Sequence, residues 1–300
     1  MVILDKKKTL TGLLVKEAMR KQVIHLPQTA SIDNGIGALI KFKVNAFLVK
    51  DENDLPTGVV SKTDIIGAYY ASLPLGTPLE NVMSFSPLFC RPDDTLESAL
   101  DIMKSKGVYR LYVIGKNQKK VVGTLAYPDI VGLLYLYCND CEHSHFRKKR
   151  KKQADPAIRR YRVKEVMTSF VKACGENDSL LKVMEELSAY RFGAVLITDK
   201  NNHPSGVISK TDLSISYNHG VDSKIEAKSI MSSPVLSCEE DELIEDAIKQ
   251  MIFADVHRLF VHKDDPQNIV GVFSLSDAAR VRSGSCHACL SSRIKVDKHD

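Results

Sequence analysis

Gly58-Val59-Val60-Ser61-Lys62-Thr63-Asp64 occurs twice in this chain: 148 residues later it returns as Gly206-Val207-Ile208-Ser209-Lys210-Thr211-Asp212. The same offset carries Val15-Lys16-Glu17-Ala18-Met19 onto Val163-Lys164-Glu165-Val166-Met167, and Gly123 with Asp129 onto Gly271 with Asp277. A fixed period of this kind is the signature of a duplicated module, with almost no net insertion between the copies. Inside each half a weaker duplication relates Met19 to Met83 and Met167 to Met231, both 64 residues apart. From each of these methionines to the later glycine is 39 or 40 residues, so the chain is built from four units. We place them at 13–75, 78–140, 161–223 and 226–283. A basic linker occupies 142–160 and a cysteine-bearing C-terminal tail 284–300.

Apolar spacing predicts the local structure of a unit. Leu180, Val183, Met184 and Leu187 mark one face of a helix, with Asp178 or Ser179 placed to cap it. The pattern recurs at Ile32, Gly35, Ile36, Leu39; at Leu96, Ala99, Leu100, Met103; and at Ile244, Ala247, Ile248, Met251. A β-type run follows each helix (Ala46–Val49, Leu111–Ile114, Ala194–Ile197, Leu259–Val261), then a polar turn, a second run from the glycine, and another helix. The expected fold is therefore α/β (α+β), four β-α-β-β-α units. A lone unit leaves one sheet face uncovered, so pairing is expected on burial grounds.

An opening V-x-x-V/I-M followed by a strand ending in G-h-h-S/T-x-x-D resembles the cystathionine-β-synthase (CBS) domain. The resemblance covers about residues 13–282 and repeats four times at constant spacing. It implies two Bateman modules in a pseudo-two-fold arrangement, whose inter-domain clefts bind adenosine-type ligands: AMP, ADP, ATP or S-adenosylmethionine. Such modules regulate other proteins instead of performing chemistry.

The S-x-x-D motif has its own physical reading. Its serine ends a strand and opens a helix, where unpaired N–H groups and the macrodipole favour an anion. The Asp three residues on can accept two hydrogen bonds from a ribose diol. The same four residues also form a capping box that needs no ligand. Ser61/Asp64 (with Thr63 between them), Ser209/Asp212 (with Lys210 and Thr211) and Ser274/Asp277 keep both groups. Unit 2 has Ala126-Tyr127-Pro128-Asp129, which lacks the hydroxyl and, at Pro128, one donor. The second module is therefore the stronger candidate site. Arg110 and Arg258, again 148 apart, enter the strand after the first helix of units 2 and 4. Val256-His257-Arg258-Leu259 resembles the H-R-L stretch of the γ subunit of AMP-activated protein kinase, where such basic residues reach nucleotide phosphates; an arginine here also suits a solvated strand edge. Lys62 and Lys210 are further candidates for phosphate contact, although lysines at helix starts are usually solvated.

Cys138-Asn139-Asp140-Cys141 and Cys286-His287-Ala288-Cys289 follow the same offset. Two C-x-x-C pairs complete a tetrahedral Cys₄ set for zinc, or hold an iron–sulfur cluster, if the modules meet about a pseudo-two-fold axis. Dithiol redox switching is the alternative, and His143 with His145 is a poorer local set because neither histidine is duplicated. Cys90, Cys174 and Cys238 are expected to be small buried apolar residues.

The charge is uneven. Between Arg147 and Arg162 lie nine Lys/Arg and one acid, net +8, which leaves −3 for the rest of a chain whose total is +5. Six consecutive cations favour an extended, solvated linker, and also suit salt-dependent contact with nucleic acid or an anionic surface. No apolar run spans a bilayer and no secretory signal is evident, so a cytoplasmic protein is expected. No Walker loop, nucleophile elbow or H-E-x-x-H is present, so the chain is not expected to be an enzyme. The expectation is a regulatory ligand sensor acting on a separate protein or through a homo-oligomer. The alternatives are a metal or redox sensor working through its cysteines, and a nucleic-acid-associated regulator working through its linker.

Overall fold

A computed structural model of the chain describes residues 13–115, 120–140 and 161–280. The first unit opens on a single helical turn, α1 (Val15–Ala18), and continues β1 (His25–Pro27), α2 (Ile32–Lys41), β2 (Ala46–Lys50), β3 (Pro56–Ser61), α3 (Lys62–Tyr70). The second contains β4 (Ser84–Phe85), β5 (Phe89–Cys90), α4 (Leu96–Ser105), β6 (Arg110–Ile114), β7 (Val121–Ala126) and α5 (Tyr127–Asp140). The third has β8 (Ala173–Gly175), α6 (Leu180–Ala189), β9 (Ala194–Thr198), β10 (Pro204–Ser209), α7 (Lys210–Asn218), and the fourth β11 (Ser237–Glu239), α8 (Ile244–Phe253), β12 (Arg258–Lys263), β13 (Asp265–Ser274), α9 (Leu275–Arg280). The β-α-β-β-α order holds in each.

Helix starts follow the predicted chemistry. Ser179, not Asp178, caps α6 by accepting from the Lys182 N–H, while Asp178 accepts from the Gly175 N–H. In each sheet the first strand runs parallel to the second and the second pairs antiparallel with the third. Strand side chains alternate between faces. Phe47 and Val49 enter one core, whereas Leu48, also fully buried, points to the other face of the sheet. Leu196, Tyr112 and Phe260 repeat that outward but buried position in units 3, 2 and 4.

The cores do not follow chain order. One apolar cluster joins units 1 and 3 (Ile36, Phe47, Ile65, Met184, Ile197, Leu213 among its members). The other joins units 2 and 4 (Leu100, Leu111, Ile130, Met251, Leu259, Leu275). Equivalent helices meet across a pseudo-two-fold axis: α3 packs on α7, and α5 on α9. On that axis Tyr69 and Tyr217 stack with ring centroids 4.8 Å apart. Each hydroxyl donates to a carbonyl of the opposite unit, Tyr69 to Val221 at 2.7 Å and Tyr217 to Leu73 at 2.6 Å. Cys90, Cys174 and Cys238 are buried in β5, β8 and β11, and burial raises all three thiol pKa values.

Candidate nucleotide-binding clefts

Units 1 and 2 are tied by an exchange, and units 3 and 4 likewise. The opening segment of each unit lies on its module partner: Met83 covers Gly58 while Met19 covers Gly123, and Met231 covers Gly206 while Met167 covers Gly271. A Cβ on Gly206 would come within 2.7 Å of Met231 Sδ and 3.0 Å of the Ser232 carbonyl. The glycine of the repeat is thus required by a neighbouring unit's methionine, not by its own. The residue after each methionine then extends the host sheet by one strand: Ser84 opposite Val59, Arg20 opposite Thr124, Thr168 opposite Val272, Ser232 opposite Val207.

In units 1 and 2 that exchanged residue contacts the host's motif aspartate. In units 1, 3 and 4 the Ser-x-x-Asp capping box is formed. The Ser61 and Ser209 backbone N–H groups each donate at 2.7 Å to one carboxylate oxygen, Oδ2, and the serine hydroxyls donate to the same atom. Ser274 and Asp277 repeat the arrangement. The cap therefore uses one oxygen and leaves the other, Oδ1, for something else. In unit 1, Ser84 Oγ donates to Asp64 Oδ1 at 3.0 Å. In unit 2, Asp129 takes the Ala126 N–H at 2.8 Å and an ion pair from Arg20 on its second oxygen. The second oxygens of Asp212 and Asp277 receive no hydrogen bond from the described residues, so the second module is the one with acceptors open to a diol. Burial raises the pKa of Asp277, against the lowering effect of its bonds from Ser274.

The basic candidates converge between the modules. Lys62 Nζ reaches Thr211 Oγ1 across the pseudo-axis at 2.8 Å, and Lys210 Nζ reaches Thr63 Oγ1 at 2.8 Å, a reciprocal pair. These lysines are half-buried, not solvated. Burial, then the Arg258 charge, pushes Lys210 down to about 8 despite Asp64 nearby. Burial lowers Lys62 too. His257 falls to about 4 through burial and the charges of Lys62, Arg258 and Arg110, opposed by Asp255. Its Nδ1 lies 3.4 Å from the Asn45 amide of unit 1. Arg258 lies over Gly193, where any Cβ would collide with the guanidinium. Neither Arg110 nor Arg258 is a solvated strand-edge residue: burial is the leading cause of the lowered pKa in both. All four units thus contribute a basic group to one centre: Lys62, Arg110, Lys210 and Arg258 as cations, with His257 held neutral among them. Burial makes these cations easier to deprotonate and so favours an incoming polyanion, although each also feels one carboxylate: Asp212 at Lys62, Asp64 at Lys210, Asp129 at Arg110 and Asp277 at Arg258.

No group of three or more His, Cys, Asp or Glu among the described residues has a metal-binding arrangement. Of the paired cysteines only the backbone of Cys138, on α5, is described. Cys141, Cys286, Cys289, the histidines 143 and 145, and the basic run 147–152 lie outside the described residues. No helix among the described residues is long and apolar enough to cross a membrane.

The repeated cleft geometry has a counterpart in sequence: the CBS domain family matches residues 15–71, 79–135, 163–217 and 227–284. This chain belongs to the CBS domain family. The protein MJ1225 of Methanocaldococcus jannaschii is 26% identical over 200 residues, 66% of this chain and 68% of that one. Its crystal structure, described as that of a candidate archaeal homologue of γ-AMPK, superposes with a TM-score of 0.74 at 12% identity over 89% of this chain and 99% of that one. A conserved protein from Pyrococcus horikoshii covers the same shares with a TM-score of 0.59 and 15% identity. These structures share the four-unit CBS fold. The crossed methionine–glycine contacts and the Arg20–Asp129 pair escaped sequence reading. The second was visible as a break in the repeat, Arg20 standing where Thr168 stands 148 residues on.

Proposed function

We propose that this CBS protein is a regulatory sensor of an adenosyl ligand, with AMP, ADP or ATP favoured over S-adenosylmethionine, and that it performs no chemistry on what it binds. The observation that carries this reading is the meeting of Lys62, Lys210, His257 and Arg258 beside aspartates 212 and 277, whose second oxygens are open. In this reading the ribose diol donates to Asp212 or Asp277, the base lies on the apolar outer face of the sheet at Leu196 or Phe260, and the phosphates enter the cationic centre. Desolvated phosphate–cation contacts are strong, charge-assisted bonds. The cationic centre favours a nucleotide over S-adenosylmethionine, which brings an additional positive charge.

Because residues of both modules line the centre, a bound polyanion stabilises their present arrangement relative to any in which the cations separate. Only such differential affinity lets a ligand signal. We take the receiver to be a separate regulated protein or a second copy of this chain, and the setting to be the cytoplasm. Thermal unfolding tests the reading. A nucleotide at about 100 times its Kd adds about 2.7 kcal/mol of stability, so the midpoint rises with AMP, ADP or ATP and rises less in Lys210→Met. No shift with any of them, or steady turnover of the nucleotide, contradicts it.

A further inference from the structure

Four copies of one cleft allow each to serve as the control for the others. In every unit a single rung crosses three strands, from the second strand through the third to the exchanged residue. In unit 1 it reads Leu48, Val59, Ser84; in unit 3, Leu196, Val207, Ser232; in unit 4, Phe260, Val272, Thr168. Residues directly opposite one another point to the same face, so each of these rungs is two apolar side chains and a hydroxyl, which in unit 1 bonds the motif aspartate. Unit 2 breaks all three positions at once: Tyr112, Thr124, Arg20.

Tyr112 is as buried as Leu48, Leu196 and Phe260 at the same position, whereas Thr124, 1% exposed, is more buried than its counterparts Val59, Val207 and Val272. Arg110 donates to Thr124 Oγ1 at 3.4 Å. Arg20 comes from the exchanged segment and takes the carboxylate oxygen that the other cleft of its module gives to Ser84. The side chain of Asp129 is left only 4% exposed. Arg20 itself stays 62% exposed, so the pair is a partly exposed one of modest strength, but it occupies the second oxygen of Asp129. A diol would have to displace Arg20, and a base would meet a phenol and a hydroxyl instead of the two apolar side chains of the other rungs.

We infer that unit 2 carries no adenosyl site of its own: Arg20, Tyr112 and Thr124 occupy its base and ribose positions, and these three residues set the number of ligands the chain takes. The inference rests on the adenosyl reading above for what the other clefts bind, while the sealing itself does not depend on that reading.

The full chain tests both parts separately. In the absence of any ligand, thermal unfolding of wild type, Arg20→Ser, Asp129→Asn and the double variant forms a double-mutant cycle. The sealed cleft requires a lowered midpoint in each single variant and a double variant well short of the sum of the two losses; strictly additive losses overturn it. In titrations with AMP, Asp129→Asn is expected to bind the same number of equivalents as wild type, with Kd unchanged to within about twofold. Loss of one equivalent overturns the inference. The variant Arg20→Ser/Tyr112→Leu/Thr124→Val is expected to gain one equivalent, and a folded triple variant with no gain counts against these residues as the determinants. If wild type binds no AMP, the adenosyl reading fails and the ligand-free cycle alone decides the sealing.

Discussion

Lys210 is the residue at which charge and ligand are most directly linked. Its ordinary pKa of 10.5 is pushed down to about 8, first by burial and then by Arg258. The folded chain therefore binds fewer protons than the unfolded chain between those two values, and stability attributable to this group increases as pH rises through that window. Ligand binding has the opposite sign. A phosphate pairs with the protonated amine, so affinity falls as pH rises through about 8, and binding in that range is accompanied by proton uptake. We expect AMP affinity to weaken several-fold between about pH 7 and about pH 9, with a shallower slope in Lys210→Met. Calorimetry in buffers of different ionisation enthalpy checks the proton uptake. A pH-independent Kd contradicts it. The sequence named Lys210 as a candidate, but burial by the opposite module was not legible there, since it depends on which surface of each module faces the axis.

At the scale of elements, the crossing segments hold each module together. Gly206→Ala places a methyl against Met231 and the Ser232 carbonyl. Overpacking of this kind costs about 1–3 kcal/mol. The control is Gly67 on α3, where a Cβ meets nothing within 4 Å. There alanine should be neutral or stabilise the helix by about 0.5–1 kcal/mol. The denaturant midpoint should fall for Gly206→Ala and hold or rise for Gly67→Ala, and equal shifts would remove the exchange as the reason for the repeated glycine. The helices were readable from 3.6-residue periodicity, because each buries one stripe, and the strands as short apolar runs after them, because the central strands are buried on both faces. The exchange was not readable. Periodicity records that Met and Gly recur at fixed spacing, and it is indifferent to whether the pair meets within a unit or between two. The sealed cleft lies between these cases. Ala126 and Pro128 pointed to unit 2 as the weak copy, whereas Arg20, the side chain that engages its aspartate, lies 109 residues away in sequence.

The whole molecule is two modules joined face to face, and its pseudo-symmetry is carried by reciprocal bonds. Tyr69→Phe or Tyr217→Phe removes one inter-module hydrogen bond and is expected to cost about 0.5–1.5 kcal/mol, with the double variant losing about twice that. Unfolding midpoints check the magnitude, and no loss in the double variant contradicts a role for the tyrosine pair in the interface. The 148-residue offset announced two equivalent halves. That equivalent helices meet, unit 1 on unit 3 and unit 2 on unit 4, follows from where each half exposes its remaining apolar surface, which only the assembled cores reveal.

The central claim is that the second module's open aspartates and the shared cationic centre together bind an adenosyl ligand. Isothermal titration of the full chain with AMP, ADP, ATP and S-adenosylmethionine, beside the variant Asp212→Asn/Asp277→Asn, addresses it most directly. Asparagine keeps an oxygen for each helix cap and removes the charged acceptor for the diol. The account predicts saturable binding of at least one adenine nucleotide, weakened about tenfold or more in the variant, the cost of losing a hydrogen bond to a charged group. Absence of binding by all four, or a variant that binds as tightly as wild type, would contradict it.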